Sequence, residues 1–229
     1  MLRPQISSIA TSLICATIAR GQRSTVSGLT ALIFIIGTDH YFQVSATPKR
    51  DGAGKLDLIK FQRYLSASAK RMGAKMIAEE ASEEWVNDQG PDAWSIAQRV
   101  AEQMSIRHRF CDPDTDERRA VGLKSGGELW DKANAIAMRS GRDIVAVWRE
   151  EVRNSFPARE DFWLSRLRVR GFKKMVILFV CGADHVDTFK ATLAANGVQA
   201  SIYCRDWPND ISSDTGGEGI PRREIRRVR

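Results

Sequence analysis

Two of the three histidines in this chain stand in the same four-residue pattern, G-x-D-H. GTDH occupies 37–40 and GADH occupies 182–185, and each motif directly follows an apolar run. A glycine lets the chain turn sharply and approach a ligand closely where a Cβ would interfere. A neutral imidazole can then bind a metal such as zinc, or it can activate a water molecule. The matching contexts indicate that His40 and His185 share one site, the alternative being two unrelated histidines at strand ends.

Carboxylates follow two further apolar runs. Glu79 and Glu80 end the run KMIAEE, and Asp112 follows RHRFC. Neighbouring residues of a strand face opposite sides, so only one of the two glutamates can face a site squarely, and we favour Glu79. Glu80 would otherwise begin the acidic loop EEASEE. Asp112 would otherwise belong to a turn in which Thr115 or Asp116 caps the next helix.

Charged residues next to these motifs offer supporting roles. Arg159 lies in the predicted helix AREDFWLSRL and could bind an anionic group or stabilise an oxyanion, although arginines on helices are commonly just solvated. Asp39 and Asp184 each precede a motif histidine and could either orient its ring or cap the turn. The third histidine, His108, lies inside an apparent strand between two arginines and is predicted to be structural.

Apolar runs alternate with helical periodicities from residue 31 onward, which is typical of a sheet built from βα units. The runs show little internal alternation, which predicts strands covered on both faces and hence a mostly parallel or mixed sheet. We therefore expect a single α/β domain over 31–210. Strands are predicted at 31–36, 75–81, 107–113, 174–182 and 198–207. Helices are predicted at 57–73, 93–104 and 185–196, with helical but irregular sequence over 116–169.

The predicted strand ends are where the candidate residues converge. In an open parallel sheet, ligands bind beyond the carboxyl ends of the strands. Both histidine motifs, the Glu79–Glu80 pair and Asp112 follow four different strands. The order of elements alone therefore predicts one crevice that contains all of them.

Charge and cysteine content restrict the function class. The net charge is +7, but much of the excess lies in 1–30 and in 211–229, so binding of nucleic acid by the domain is not expected. The four cysteines show no CxxC spacing, which favours a reducing compartment and a cytoplasmic location. The first 30 residues are expected to be a poorly structured extension, with a signal or transit peptide as the alternative. No transmembrane segment is expected, and 211–229 is predicted to be a disordered basic tail.

Taken together, the two GxxH motifs, the strand-end glutamate and the helix motif R-E-x-F-W-L resemble the TraB/Tiki/PrgY group and its ChaN and erythromycin-esterase-like relatives. The chain also looks like a compact bacterial family with two GxxH motifs that begins directly at the IxGTDH strand. The resemblance spans about 31–207. It implies that His40 and His185 are the motif histidines, that Glu79 or Glu80 is the strand-end glutamate and that Arg159 is the helix arginine.

The resemblance implies a metal-dependent hydrolase that acts on peptides or, in the esterase branch, an enzyme that dispenses with metal. We accordingly predict a hydrolase in which His40, His185 and Glu79 bind Zn, Mn or Co, or in which the same residues activate water directly. Glu80, Arg159 and Asp112 are the further catalytic candidates, and the substrate is a peptide or small molecule. The alternative is a non-catalytic module that binds a haem-like or anionic ligand, and a third hypothesis is an interaction protein that docks through its basic tail.

Overall fold

A five-stranded parallel sheet forms the centre of the molecule in the computed structural model, which describes residues 31–45 and 52–210. The strand order is β3-β2-β4-β1-β5, and every pairing between neighbouring strands is parallel. This confirms the predicted α/β class. The strands are β1 (Leu32–Thr38), β2 (Met76–Glu79), β3 (Arg107–Phe110), β4 (Val176–Gly182) and β5 (Gln199–Trp207).

Seven helices connect these strands within the described residues. The irregular helical sequence over 116–169 divides into three helices because three residues, Asp114, Ser125 and Asp143, each cap a new N-terminus. A short helix was not predicted: Ser82 caps it, so part of the acidic EEASEE stretch is helical and not loop. The helices are α1 (Gly52–Met72), α2 (Glu83–Asp88), α3 (Ile96–Gln103), α4 (Thr115–Ala120), α5 (Gly126–Ser140), α6 (Ile144–Leu167) and α7 (Val186–Ala195).

The sheet is covered on both faces, as the continuous apolar strands require. Ile33 and Ile35 of β1 pack on the side of α6 and α7, whereas Leu32, Phe34 and Ile36 pack on the side of α1 and α3. The same alternation runs through β2, where Met76 and Ala78 belong to the first core and Ile77 belongs to the second. The next two residues therefore also separate: Glu79, the last residue of β2, lies on the α1/α3 side, and Glu80, which follows it, lies on the α6/α7 side.

A third, smaller core lies away from the sheet, between α5 and the first half of α6. Ala133, Ala137 and Val147 are its buried members, and Trp148 packs against them. Pro157 stands inside α6 and has no N–H to donate to the carbonyl of Arg153, so the helix ladder lacks one bond there. Buried residues from Glu160 onward in α6 lie instead against the sheet.

Three further predictions concern membrane-spanning segments, the cysteines and the two ends of the chain. Within the described residues, no helix combines the length and apolar character that crossing a bilayer requires. Cys111, Cys181 and Cys204 are buried free thiols, as their positions in predicted strands suggest. The expectations for 1–30 and for 211–229 lie outside the described residues.

Candidate active site

The carboxyl ends of four neighbouring strands bring the candidate residues to one edge of the sheet. His40 follows β1, Glu80 follows β2, Asp112 lies just beyond β3 and His185 follows β4. Arg159 reaches the same edge from α6 and forms ion pairs with both Glu80 and Asp112. The crevice predicted from the order of elements is therefore present in the structure.

Glu80 is the residue on which the others converge. Its side chain is fully buried, and its Oε2 accepts a hydrogen bond from the Gly182 amide at 2.7 Å. His185 Nε2 lies 3.4 Å from Oε1 and His40 Nε2 lies 3.6 Å from the same atom. Arg159 Nη1 lies 2.9 Å from Glu80 Oε1 and forms an ion pair with it. The two groups are not aligned for a hydrogen bond, so Oε1 has no hydrogen-bond partner among the described residues. Glu80 Oε1 can therefore still accept a hydrogen bond from a water molecule or a ligand.

Glu79, which the sequence favoured as the crevice carboxylate, lies on the opposite side of β2. Its Oε1 accepts a hydrogen bond from the Ser95 hydroxyl, and His108 Nε2 lies 2.7 Å from the same oxygen. The alternation of side chains along the strand explains this, because Ile77 and Glu79 share the α1/α3 side. Glu80 therefore replaces Glu79 as the carboxylate between the two motif histidines.

His185 is held by a carboxylate that the sequence analysis did not select, Glu160. His185 Nδ1 lies 3.0 Å from Glu160 Oε1, and both side chains are almost completely buried. The hydroxyls of Thr188 and Thr192 also donate to Glu160. The Phe156 ring packs on the imidazole with 3.7 Å between ring centroids. An N–H on Nδ1 that is donated to Glu160 leaves the Nε2 lone pair on the side of Glu80.

The sequence does carry a signal for Glu160. Phe156, Glu160, Trp163, Leu164 and Leu167 are buried together on α6, at the spacing of a single helical face. A glutamate in the middle of an apolar stripe must find a buried partner, because an unpaired buried carboxylate is costly. Glu160, and not Asp184, holds the Nδ1 of His185. Asp39 accepts a hydrogen bond from the Tyr41 amide and so caps the turn after β1, while Glu160 orients His185.

The two motif glycines make room for different neighbours. A Cβ at Gly37 would lie 1.9 Å from the Arg205 carbonyl oxygen, so this glycine allows β5 to approach β1. A Cβ at Gly182 would lie 2.8 Å from His40 Nε2 and 3.4 Å from Glu80 Oε2. The second glycine therefore lets the first motif's histidine reach across the end of β4 to Glu80.

Replacing Gly182 by Ala is expected to displace His40 from Glu80 without unfolding the domain. The His40 side chain is 48% exposed and can move outward, so the melting temperature should change little. Misplacement of a catalytic group by about 1 Å can lower a reaction rate on the order of 10²-fold. We therefore expect the rate of the predicted hydrolysis to fall about 10- to 100-fold. Gly127→Ala is the matched control because its Cβ would meet nothing closer than 4.0 Å. Equal rates for the two variants would contradict this role of Gly182.

Asp112 and Arg159 form the charged support of the site. Arg159 Nε and Nη2 donate to the two oxygens of Asp112 at 2.6 and 2.8 Å, Trp163 Nε1 donates at 2.9 Å, and Arg118 donates to the same carboxylate. Burial raises the pKa of Asp112, but the bonds and charge of Arg159 and the charge of Arg118 outweigh it and hold the pKa below its usual value. Asp114 and not Thr115 or Asp116 caps α4.

All three guanidinium nitrogens of Arg159 are thus engaged by carboxylates. Burial lowers the pKa of Arg159, but the charges of Glu80 and Asp112 raise it by a larger amount. The net pKa is above its usual value, so the guanidinium remains protonated. Its observed contacts fix Glu80 and Asp112 in place. Direct binding of a substrate anion or oxyanion by Arg159 stays a prediction.

A cavity of about 530 Å³ opens over this group. His40, Glu80, Asp112 and Arg159 line it on the side of the sheet. Burial raises the pKa of the neighbouring Cys181 thiol well above its usual value, and the charges of Glu80 and Glu160 add to the shift. Cys181 is therefore a protonated packing residue and not a nucleophile. Of the two motif histidines, His40 lines the cavity, whereas His185 lies buried behind Glu80.

The three residues predicted as metal ligands do not assemble, because Glu79 lies on the opposite face from His40 and His185. Among the described residues, no group of three or more His, Cys, Asp or Glu side chains is arranged to hold a metal ion. Glu80 is close to both imidazoles, but its Oε1 already faces the Arg159 cation, which opposes a second cation at that oxygen. Metal binding by the two histidines stays a prediction.

Comparison with known proteins gives no assignment to a family. No family model matches the chain, and neither the curated proteins nor the solved structures contain a significant match. The resemblance to the TraB/Tiki/PrgY group therefore stays a prediction.

Proposed function

We propose that this pocket is the active site of a hydrolase that cleaves ester or amide bonds, with water activated by His185. The observation that carries the proposal is the His185–Glu160 pair, in which one ring nitrogen is bound by a buried carboxylate and the other lies 3.4 Å from Glu80 Oε1. A histidine oriented in this way is the usual arrangement of a general base.

The chemistry follows from the contacts of each side chain. A water molecule held by Glu80 Oε1 gives its proton to His185 Nε2 while its oxygen attacks the carbonyl carbon. Glu80 and Glu160 lie on either side of the imidazole and stabilise the imidazolium that forms. The bond from the carbonyl carbon to the leaving oxygen or nitrogen breaks. His40, which is half exposed at the cavity, supplies the proton to that leaving atom. Proton exchange with solvent then returns His185 to its neutral form and His40 to its protonated form.

Arg159 and Asp112 act on this chemistry through position and charge. Three carboxylates, Glu80, Asp112 and Glu160, lie close together at the sheet edge. The partly buried Arg159 offsets part of their mutual repulsion by contacting Glu80 and Asp112. Without it, Glu80 and Asp112 would lose the cation that lies between them. The same two ion pairs hold α6, and hence Glu160, against the ends of β2 and β3.

The experiment is a screen of p-nitrophenyl esters and peptide amides with the wild type, His40→Ala and His185→Ala. Turnover by the wild type that both variants lose, with an exposed control such as Met138→Ala unchanged, supports the proposal. Absence of turnover on every substrate contradicts it. The hydrolysis could use a metal bound by the histidines or could proceed by direct activation of water. The metal content of the same samples after purification in metal-supplemented buffer decides between these two mechanisms. Stoichiometric metal that is lost in both histidine variants would favour the metal-dependent form.

A further inference from the structure

The cavity over the site has two chemically different sides. The sheet edge supplies the charged residues described above, whereas the opposite side comes from the segment before α5 and from α5 and α6. Four large apolar side chains contribute to this second side, namely Leu123, Leu129, Trp148 and Val152. The other lining residues from these segments are Lys124, Ser125, Gly126 and Ser155.

The helices that supply the apolar side form a unit of their own, which we name the α5–α6 hairpin (residues 126–155). They pack mainly against each other around the third core. Lys132 of α5 forms an ion pair with Glu151 of α6, and Arg142 of the connecting loop forms one with Glu150 of α6. Pro157 separates the hairpin from the part of α6 that carries Arg159 and Glu160.

The charged residues that line the cavity provide little selectivity for a charged ligand. Arg118 is bound to Asp112, and Glu84 accepts a hydrogen bond from the Thr115 amide. The remaining charged groups on the rim, Asp88 and Lys124, have opposite signs. Selection is left to the apolar wall, since burial of apolar surface is the interaction that such a wall offers.

We propose that the α5–α6 hairpin is a specificity cap that binds the apolar group of the substrate while the ester or amide bond lies at the sheet edge. The substrate class is esters or amides with a medium-chain alkyl or aromatic group, and this inference rests on the proposed function. Trp148 and Val152 are the specificity-determining residues because both line the cavity from the first half of α6, before Pro157.

The test compares p-nitrophenyl octanoate with p-nitrophenyl acetate. Trp148→Ala removes part of the wall and Val152→Phe fills part of the cavity. Each is expected to lower kcat/KM for the octanoate about tenfold or more while changing the acetate less than about threefold, because an apolar pocket discriminates by about 10- to 200-fold per methylene. Trp130→Ala is the matched control: its ring contacts Trp148 but lies outside the cavity, and it should change neither substrate.

Equal losses on the two esters, or an equal effect of Trp130→Ala, would overturn the proposal. Val152→Phe adds volume and does not remove a packing residue. A change in its substrate preference therefore cannot be attributed to lost packing. If neither an ester nor an amide is hydrolysed, the proposed function fails. In that case, or if only amides are hydrolysed, calorimetric titration with sodium octanoate decides on the cap. Binding that Val152→Phe weakens and Trp130→Ala leaves intact supports the cap, whereas no binding of octanoate, or equal weakening in both variants, overturns it.

Discussion

Replacing His185 by Ala is expected to lower kcat for ester or amide hydrolysis by about 10²–10⁴-fold, the contribution typical of a positioned general base. His185 is 3% exposed and lies among Phe156, Trp163 and Glu160, so its removal also leaves a small cavity and a buried carboxylate without its histidine partner. The rate should therefore be measured well below the melting temperature of the variant. Circular dichroism establishes that the protein assayed is folded.

His108 provides the control for this experiment. It is also partly buried and also contacts a buried glutamate, Glu79, but on the opposite side of β2. His108→Ala should lower the melting temperature and leave kcat within a few fold of the wild type. A loss of rate in His108→Ala as large as that in His185→Ala would show that general destabilisation, and not the loss of a base, explains both results.

Replacing Asp112 by Asn is expected to cost about 3–5 kcal/mol of unfolding free energy at neutral pH, the range found when one partner of a buried ion pair is removed. The Asp112 carboxylate is 6% exposed, and the Arg159 and Arg118 side chains that it contacts are 22% and 24% exposed. The substitution leaves both cations without this anion, and Trp163 Nε1 loses its charged acceptor. Denaturant unfolding of the two proteins measures the difference.

The same substitution should change how stability depends on pH. The pKa of Asp112 is lower in the folded chain than its ordinary value of about 3.9. A carboxylate with a depressed folded pKa contributes stability that is fully present above the unfolded pKa and is lost as the pH falls through the folded pKa. The wild type should therefore lose stability below about pH 4 more steeply than Asp112→Asn. Parallel curves for the two proteins over this window would contradict the assignment of the shift to Asp112.

The sequence was informative about which strand ends meet but not about which side of a strand a residue occupies. Four apolar runs, each followed by a histidine or a carboxylate, were enough to predict a crevice with His40, His185 and Asp112. The choice between Glu79 and Glu80 requires knowing which pair of helices covers each face of β2. That information comes from packing distant in sequence, since α6 and α7 follow β2 by more than sixty residues.

The partners of the site residues were harder to predict than the residues themselves. Glu160 follows the selected Arg159 directly, yet the two side chains have different functions: Arg159 pairs with Glu80 and Asp112, and Glu160 pairs with His185. The buried position of Glu160 on the apolar face of α6 was readable as a helical stripe. Its pairing with α7 depends on the angle at which α6 crosses the sheet, which no local pattern specifies. The same holds for the α5–α6 hairpin, whose sequence predicts helices but not their position over the cavity.

The most direct measurement is a double-mutant cycle on His185 and Glu160, with the hydrolysis rate determined for the wild type, His185→Ala, Glu160→Gln and the double variant. Glu160 acts on the reaction only by holding and stabilising His185, so its removal should matter only while His185 is present. We expect Glu160→Gln to slow the wild type and the double variant to be no slower than His185→Ala alone. Two losses that multiply would contradict the account, because they would mean that His185 and Glu160 contribute independently.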